Sequence, residues 1–165
     1  MSKERFLERK ANAKDSVSRL LEAVVLEKSE IVRDAVIQRF EFSYEAVWKA
    51  LQIYLEYQGH ECPGSRSVVR KAFAERFILT EEEADLWFQM IVDRNLTSHA
   101  YDEELSERIY ANILSKYAAL LESASQRLQG LECDWTCHLA WERKIGKRFE
   151  ESWKVDLLFE GQKFS

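Results

Sequence analysis

The sequence predicts an all-α protein: an up-and-down four-helix bundle with one extra basic helix and a C-terminal extension. Three observations carry this. Apolar residues recur at spacings of three and four along four long stretches. Breakers are scarce, with 5 Gly and 1 Pro in 165 residues. A content of 46 % hydrophobic and 32 % charged residues suits amphipathic helices around one core. The length fits one ordinary domain with an appendage, divided into residues 1–130 for the bundle and 131–165 for the extension.

The first helix is expected from about Arg5 to Leu26, where Leu7, Val17, Leu20, Leu21, Val24 and Val25 recur among charges. Ser29 stands where an N-cap is needed. The second helix then runs from Glu30 to Tyr57, because Val32, Val36, Phe40, Tyr44, Val47, Leu51 and Leu55 step by three or four without interruption. Gln58-Gly59 stops it, and Pro63-Gly64 marks a loop. A shorter basic helix over Ser65 to Phe77 has a narrow apolar stripe at Val69 and Phe73, with Arg66 and Arg70 one turn apart. Thr80-Glu81-Glu82-Glu83 opens the next helix with a capping hydroxyl and first-turn acids, ahead of Ala84, Trp87, Phe88, Ile91 and Leu96. Asp102-Glu103-Glu104 starts the last long helix. Its face of Leu105, Ile109, Ile113, Tyr117, Leu120, Ala124 and Leu128 stays apolar up to Gly130. The tail carries Trp135, Trp141 and Trp153 with Leu139, Ile145 and Phe149, a pattern compatible with a fifth helix.

Several function classes are excluded at this point. No stretch reaches the ~20 apolar residues of a membrane span, and no apolar signal core follows the N-terminus, so a cytoplasmic protein is expected. Cys62, Cys133 and Cys137 are odd in number and unevenly placed, which fits reduced thiols better than a disulfide framework. With 24 Lys and Arg against 29 Asp and Glu, a net −5, the chain is no sequence-wide polycation. Any nucleic-acid contact must come from a local patch.

One segment does not follow core logic. Asp93-Arg94-Asn95-Leu96-Thr97-Ser98-His99-Ala100-Tyr101 concentrates a guanidinium, an amide, two hydroxyls, an imidazole and a phenol where one helix ends and the next begins. On a continuing helix Arg94 and His99 would lie roughly 140° apart, so they converge only if the helix ends between them or another element joins them. Such a set suits metal-free cleavage of an RNA phosphodiester. Histidine titrates near neutrality and moves protons, while arginine forks two hydrogen bonds to phosphate and stabilises transition-state charge. A two-fold dimer would supply two copies of His99, one as acid and one as base. A polar cluster that only caps helices is the plainer alternative.

Arg94-Asn95-Leu-Thr-Ser-His99-Ala-Tyr101 resembles the Arg-x4-His-x-Tyr motif of HepT-type toxins in the HEPN superfamily, a group also labelled nucleotidyltransferase substrate-binding proteins. Gln38-Arg39-Phe40-Glu41-Phe42-Ser43-Tyr44-Glu45, followed by Trp48-Lys49, is similar to the family's second-helix signature. The resemblance spans about residues 15–128. It implies a four-helix HEPN bundle forming a homodimer and acting as a metal-independent endoribonuclease without a cofactor. The implied partner is a minimal nucleotidyltransferase antitoxin that transfers AMP from ATP to the motif tyrosine, here Tyr101. Arg94, His99 and Tyr101 carry over as active-site residues, with Asn95 as an orienting group. A non-catalytic subunit that presents a substrate, or itself, to a nucleotidyltransferase is the alternative.

Other candidates come from the residues alone. Phe40, Phe42, Tyr44 and Trp48 are expected in the bundle or dimer core, as aromatics at helical spacing usually pack. Gln38, Arg39, Glu41 and Glu45 could line a cleft, and an ion pair to Arg94 fits them equally well. Arg66, Arg70 and Lys71 of the basic helix, with Arg39, are candidate RNA phosphate contacts, against the reading of a solvated helix face. Cys133-x3-Cys137-His138 could form half a zinc site with His60 or Cys62, although its spacing is not that of ordinary zinc ligands and no metal is expected.

Overall fold

Twenty-eight residues of unbroken three-and-four spacing make α2 (Glu30–Tyr57) the longest helix of the computed structural model, which describes residues 3–99 and 102–132. The Ser29 hydroxyl caps it by accepting from the Val32 amide at 3.2 Å. Its Val36, Phe40, Tyr44, Val47, Leu51 and Leu55 are buried, each such side chain stabilising the fold by roughly 1.5–3 kcal/mol.

Helix α1 (Lys3–Val24) returns along α2 through a short connection. Its buried face is the expected one at Val17 and Leu20, with Leu21 and Val24 packed against the core, and differs toward its start. Phe6, Lys10, Ala13, Val17, Leu20 and Ala23 point inward, while Leu7 and Val25 are exposed, and the helix ends two residues before Leu26. Lys10 is the unexpected inward residue. Its ammonium donates to the carbonyls of Gln129 at 3.0 Å and Leu131 at 2.8 Å, so a charged residue holds a core position by closing the end of another helix.

The basic helix α3 (Ser65–Ala74) is shorter than predicted. Arg76 turns the chain at φ 57°, and the Phe77 and Ile78 amides return to the Ala72 carbonyl so that both side chains are buried. Val68, Val69 and Ala72 form the buried stripe, and Phe73 lies partly exposed rather than within it.

Helix α4 (Glu81–Leu96) starts at Thr80, whose hydroxyl accepts from the Glu83 amide at 3.1 Å. It passes into a single 3-10 turn, Thr97–His99. The last predicted helix is one rod with a fault in it: α5 (Glu103–Asn112), a π turn over Ile113–Tyr117, and α6 (Ala118–Gly130).

Four long helical runs plus the basic helix form the expected up-and-down bundle, with no strand among the described residues. Phe40 stacks on Tyr117 at 5.5 Å and lies 6.4 Å from Tyr44, which lies 6.4 Å from Trp87, so an aromatic column ties α2, α4 and the rod together. Phe40 and Tyr44 are therefore core, Trp48 is half-buried, and Phe42 is 59 % exposed. The tail from residue 133, including its tryptophans, Cys133, Cys137 and His138, lies outside the described residues.

Candidate active site at the end of α4

The α-helical part of α4 stops at Leu96, between Arg94 and His99, and a 3-10 turn follows. The change of winding has a local cause. The Thr97 hydroxyl is buried between the Arg94 carbonyl, 2.7 Å away, and the Glu41 carboxylate of α2, and its one proton serves either acceptor. The Ser98 hydroxyl likewise donates to the Asn95 carbonyl at 3.2 Å. Hydroxyls thus satisfy carbonyls that a continuing helix would have used.

Arg94 faces α2. Its Nε lies 3.2 Å from Glu45 Oε1, an ion-pair contact without hydrogen-bond alignment, and both side chains are about one-third exposed. Glu45 also takes Lys49 Nζ at 2.8 Å, so one carboxylate faces two cations. Among the described residues the Arg94 guanidinium makes no further ion pair or hydrogen bond, which leaves its terminal amino groups available to an anion. Asn95 is exposed. His99 closes the 3-10 turn, and Tyr101 lies outside the described residues.

Directly before Arg94, Asp93 does the opposite. Its carboxylate is buried and accepts from Arg108 at 2.9 Å, Asn112 at 2.9 Å and the Tyr117 hydroxyl at 2.7 Å. Burial, reinforced by the Asp93 carboxylate, pushes the Tyr117 phenol well above its ordinary range. This three-donor anchor, which fixes the end of α4 to the rod, was not anticipated from the sequence.

The remaining candidates fall in different places. Arg66 lines an open cleft of about 480 Å³ with Phe88, Gln89, Arg108 and Asn112, while Arg70 and Lys71 are exposed on α3 and do not line it. Arg39 donates to the Arg19 carbonyl at 2.5 Å, and Ser43 one turn on donates to the Ser16 carbonyl, so that face of α2 meets α1. Glu41 and Glu45 lie on the face toward Arg94. His60 pairs with Glu75 at 2.8 Å, and burial raises the Cys62 thiol. Among the described residues no helix is long and apolar enough to cross a membrane.

Residues 8–130 match the family model described as nucleotidyltransferase substrate binding protein like. A Haemophilus influenzae protein described as a probable ribonuclease HepT is 33 % identical over 111 residues, 60 % of this chain and 74 % of that one. A crystal structure from Thermus thermophilus is 43 % identical, with a TM-score of 0.65, covering 70 % of this chain and 98 % of the other. A tri-AMPylated HEPN toxin of Shewanella oneidensis, solved in complex with an MNT antitoxin, shares the fold at 19 % identity and a TM-score of 0.59, covering 79 % of this chain and 100 % of its own. The helical bundle is thus of the same fold class as that HEPN toxin. Within that class the chain belongs to the nucleotidyltransferase substrate binding protein like family, and it is a homologue of HepT.

Proposed function

We propose that this protein is the toxin of a HEPN/MNT toxin–antitoxin pair, a homodimeric endoribonuclease that cuts RNA without a metal and is silenced by AMP transfer to Tyr101. The observation that carries the reading is the end of α4. The helix breaks between Arg94 and His99, and Glu45 holds Arg94 by its Nε while leaving the fork of the guanidinium open. Arg94 grips the scissile phosphate and the negative charge that grows on it. One copy of His99 takes the proton of the 2′-hydroxyl, whose oxygen attacks the adjacent phosphorus. A second copy protonates the departing 5′-oxygen, giving a 2′,3′-cyclic phosphate and a 5′-hydroxyl end. Asn95 orients the phosphate.

In silencing, the Tyr101 oxygen attacks the α-phosphorus of ATP on the antitoxin and pyrophosphate leaves. The anionic adduct, two residues from His99, competes with RNA for Arg94. Purified protein is expected to cut RNA in EDTA, with His99→Ala losing about 10³-fold or more in rate while keeping its helical content. Incubation with the cognate nucleotidyltransferase and ATP should silence wild type but not Tyr101→Phe. Cleavage that persists in His99→Ala would overturn the reading.

A further inference from the structure

The α2 face that carries Glu45 does not end at the candidate active site. Glu41, Glu45, Lys49, Gln52 and Glu56 fall within about 80° of one another around the helix, and the last three line a groove of about 340 Å³ with Arg5, Arg9 and Ile53. Three cations and one carboxylate, Glu56, line it, Lys49 also pairing with Glu45 at its edge, and Ile53 is the apolar side chain of the lining. The groove is linked to Arg94 through Glu45, which both Lys49 and Arg94 reach. From Glu45 to Gln52 the helix advances about 10 Å, so the groove begins within a few ångströms of the Arg94 partner and runs away from it.

We infer that Arg5, Arg9 and Lys49 form a phosphate track that holds the single-stranded RNA flanking the scissile bond. This rests on the ribonuclease reading of Arg94 and extends it. A strand with one phosphate on Arg94 lays its neighbouring phosphates along the same α2 face, where the cations are. The near absence of apolar lining fits a sugar–phosphate chain and not the hydrophobic face of a partner helix. The track also explains how a chain of net −5 takes hold of a polyanion: its cations are local and aligned. Helix α3, the basic element most visible in the sequence, contributes no residue to this lining.

The test uses a short single-stranded 2′-O-methyl oligoribonucleotide, which lacks the attacking hydroxyl and is bound without being cut. Its affinity is measured by fluorescence anisotropy across a salt series. Arg5→Gln/Arg9→Gln is expected to weaken binding about tenfold or more, and adding Lys49→Gln should flatten the log–log salt slope by about 2, near 0.7 for each phosphate left without its cation. Lys14→Gln/Lys116→Gln, at exposed positions outside the groove, controls for net charge. If Arg5→Gln/Arg9→Gln frays the start of α1, seen as lost helicity, Arg9→Gln/Lys49→Gln replaces it and must weaken binding in the same way.

Wild-type affinity in the groove variants, an equal loss in the control pair, no binding by wild type, or a loss confined to antitoxin affinity would each overturn the track. Cleavage of unmodified RNA is scored separately. Groove-dependent binding without cleavage by wild type leaves the track standing and removes the nuclease reading; cleavage with groove-independent binding does the reverse.

Discussion

Asp93 and Arg94 are neighbours in one helix and have opposite environments. Asp93 is buried, with three donors from the α5 and π-turn segment closed around its carboxylate. Arg94 is one-third exposed and is met by one carboxylate at the inner edge of its guanidinium. A helix turns about 100° per residue, so consecutive positions look toward different neighbours: Asp93 toward the rod and Arg94 toward α2. The lesson is a division of labour within two residues. A carboxylate whose acceptor capacity is taken up by the fold is an anchor, whereas a guanidinium with unspent donors can still take an anion.

The comparison is broken or sharpened by changing the two residues in turn. Arg94→Ala is expected to give the largest effect, a loss of about 10³-fold in RNA cleavage, equivalent to about 4 kcal/mol, with a change in stability below about 1 kcal/mol. If the same substitution instead lowers the melting temperature strongly, Arg94 is a structural group and the contrast collapses. Asp93→Ala leaves Arg108, Asn112 and the Tyr117 hydroxyl without their acceptor, and should destabilise by about 3 kcal/mol or more, readable in urea titration. An Asp93→Ala protein as stable as wild type would show that the anchor is idle.

Tyr117→Phe removes one of the three donors and should cost about 1–2 kcal/mol near neutrality. Its folded-state phenol is raised, so the native contribution is full below the ordinary phenol range near ~10 and is lost as pH climbs above it. The gap between wild type and Tyr117→Phe should therefore narrow in alkaline melts. The Tyr44 phenol, which burial pushes up to about 12, behaves with the same sign.

How far the sequence showed this arrangement depends on whether the deciding contact is local. The bounds of α2 and the start of α4 were legible because Ser29 and Thr80 act within three residues of themselves. The inward place of Lys10 on α1 was not, since it is buried by carbonyls nearly 120 residues away. The motif residues Arg94 and His99 were visible as misfits, and Glu45 was one of the acids open to Arg94, although sequence could not choose between it and a free cleft position. The Asp93 anchor was hidden by the π turn. On a regular helix Arg108 and Tyr117, nine residues apart, lie about 180° from each other, and nothing in Ile113–Tyr117 announces the wider winding that lets both reach one carboxylate. Arg39 shows the converse: it is adjacent to the signature acids in sequence yet turned to the backbone of α1.

The smallest expected effect lies at the other end of α4, where Glu83 meets Arg127 of α6, and it tests whether the rod fastens α4 at both ends. Arg127 donates to both Glu83 carboxylate oxygens and to the Phe77 carbonyl at 2.6 Å, and its guanidinium lies 5.2 Å from the Phe77 ring. Burial alone would raise the Glu83 carboxyl, but the Arg127 hydrogen bonds and the Leu79 amide prevail and hold it below the usual carboxylate range. A depressed folded value means that the stabilisation is present above the ordinary carboxylate range near ~4.3 and disappears as pH falls through the folded value. Glu83→Gln should then cost about 1 kcal/mol at pH ~7 and almost nothing at pH ~3, measured by urea titration at both. A cost that does not change with pH would mean that packing, not charge, holds this end. Cleavage by Glu83→Gln should stay close to wild type, because the Asp93 anchor still fixes the segment from which Arg94 projects.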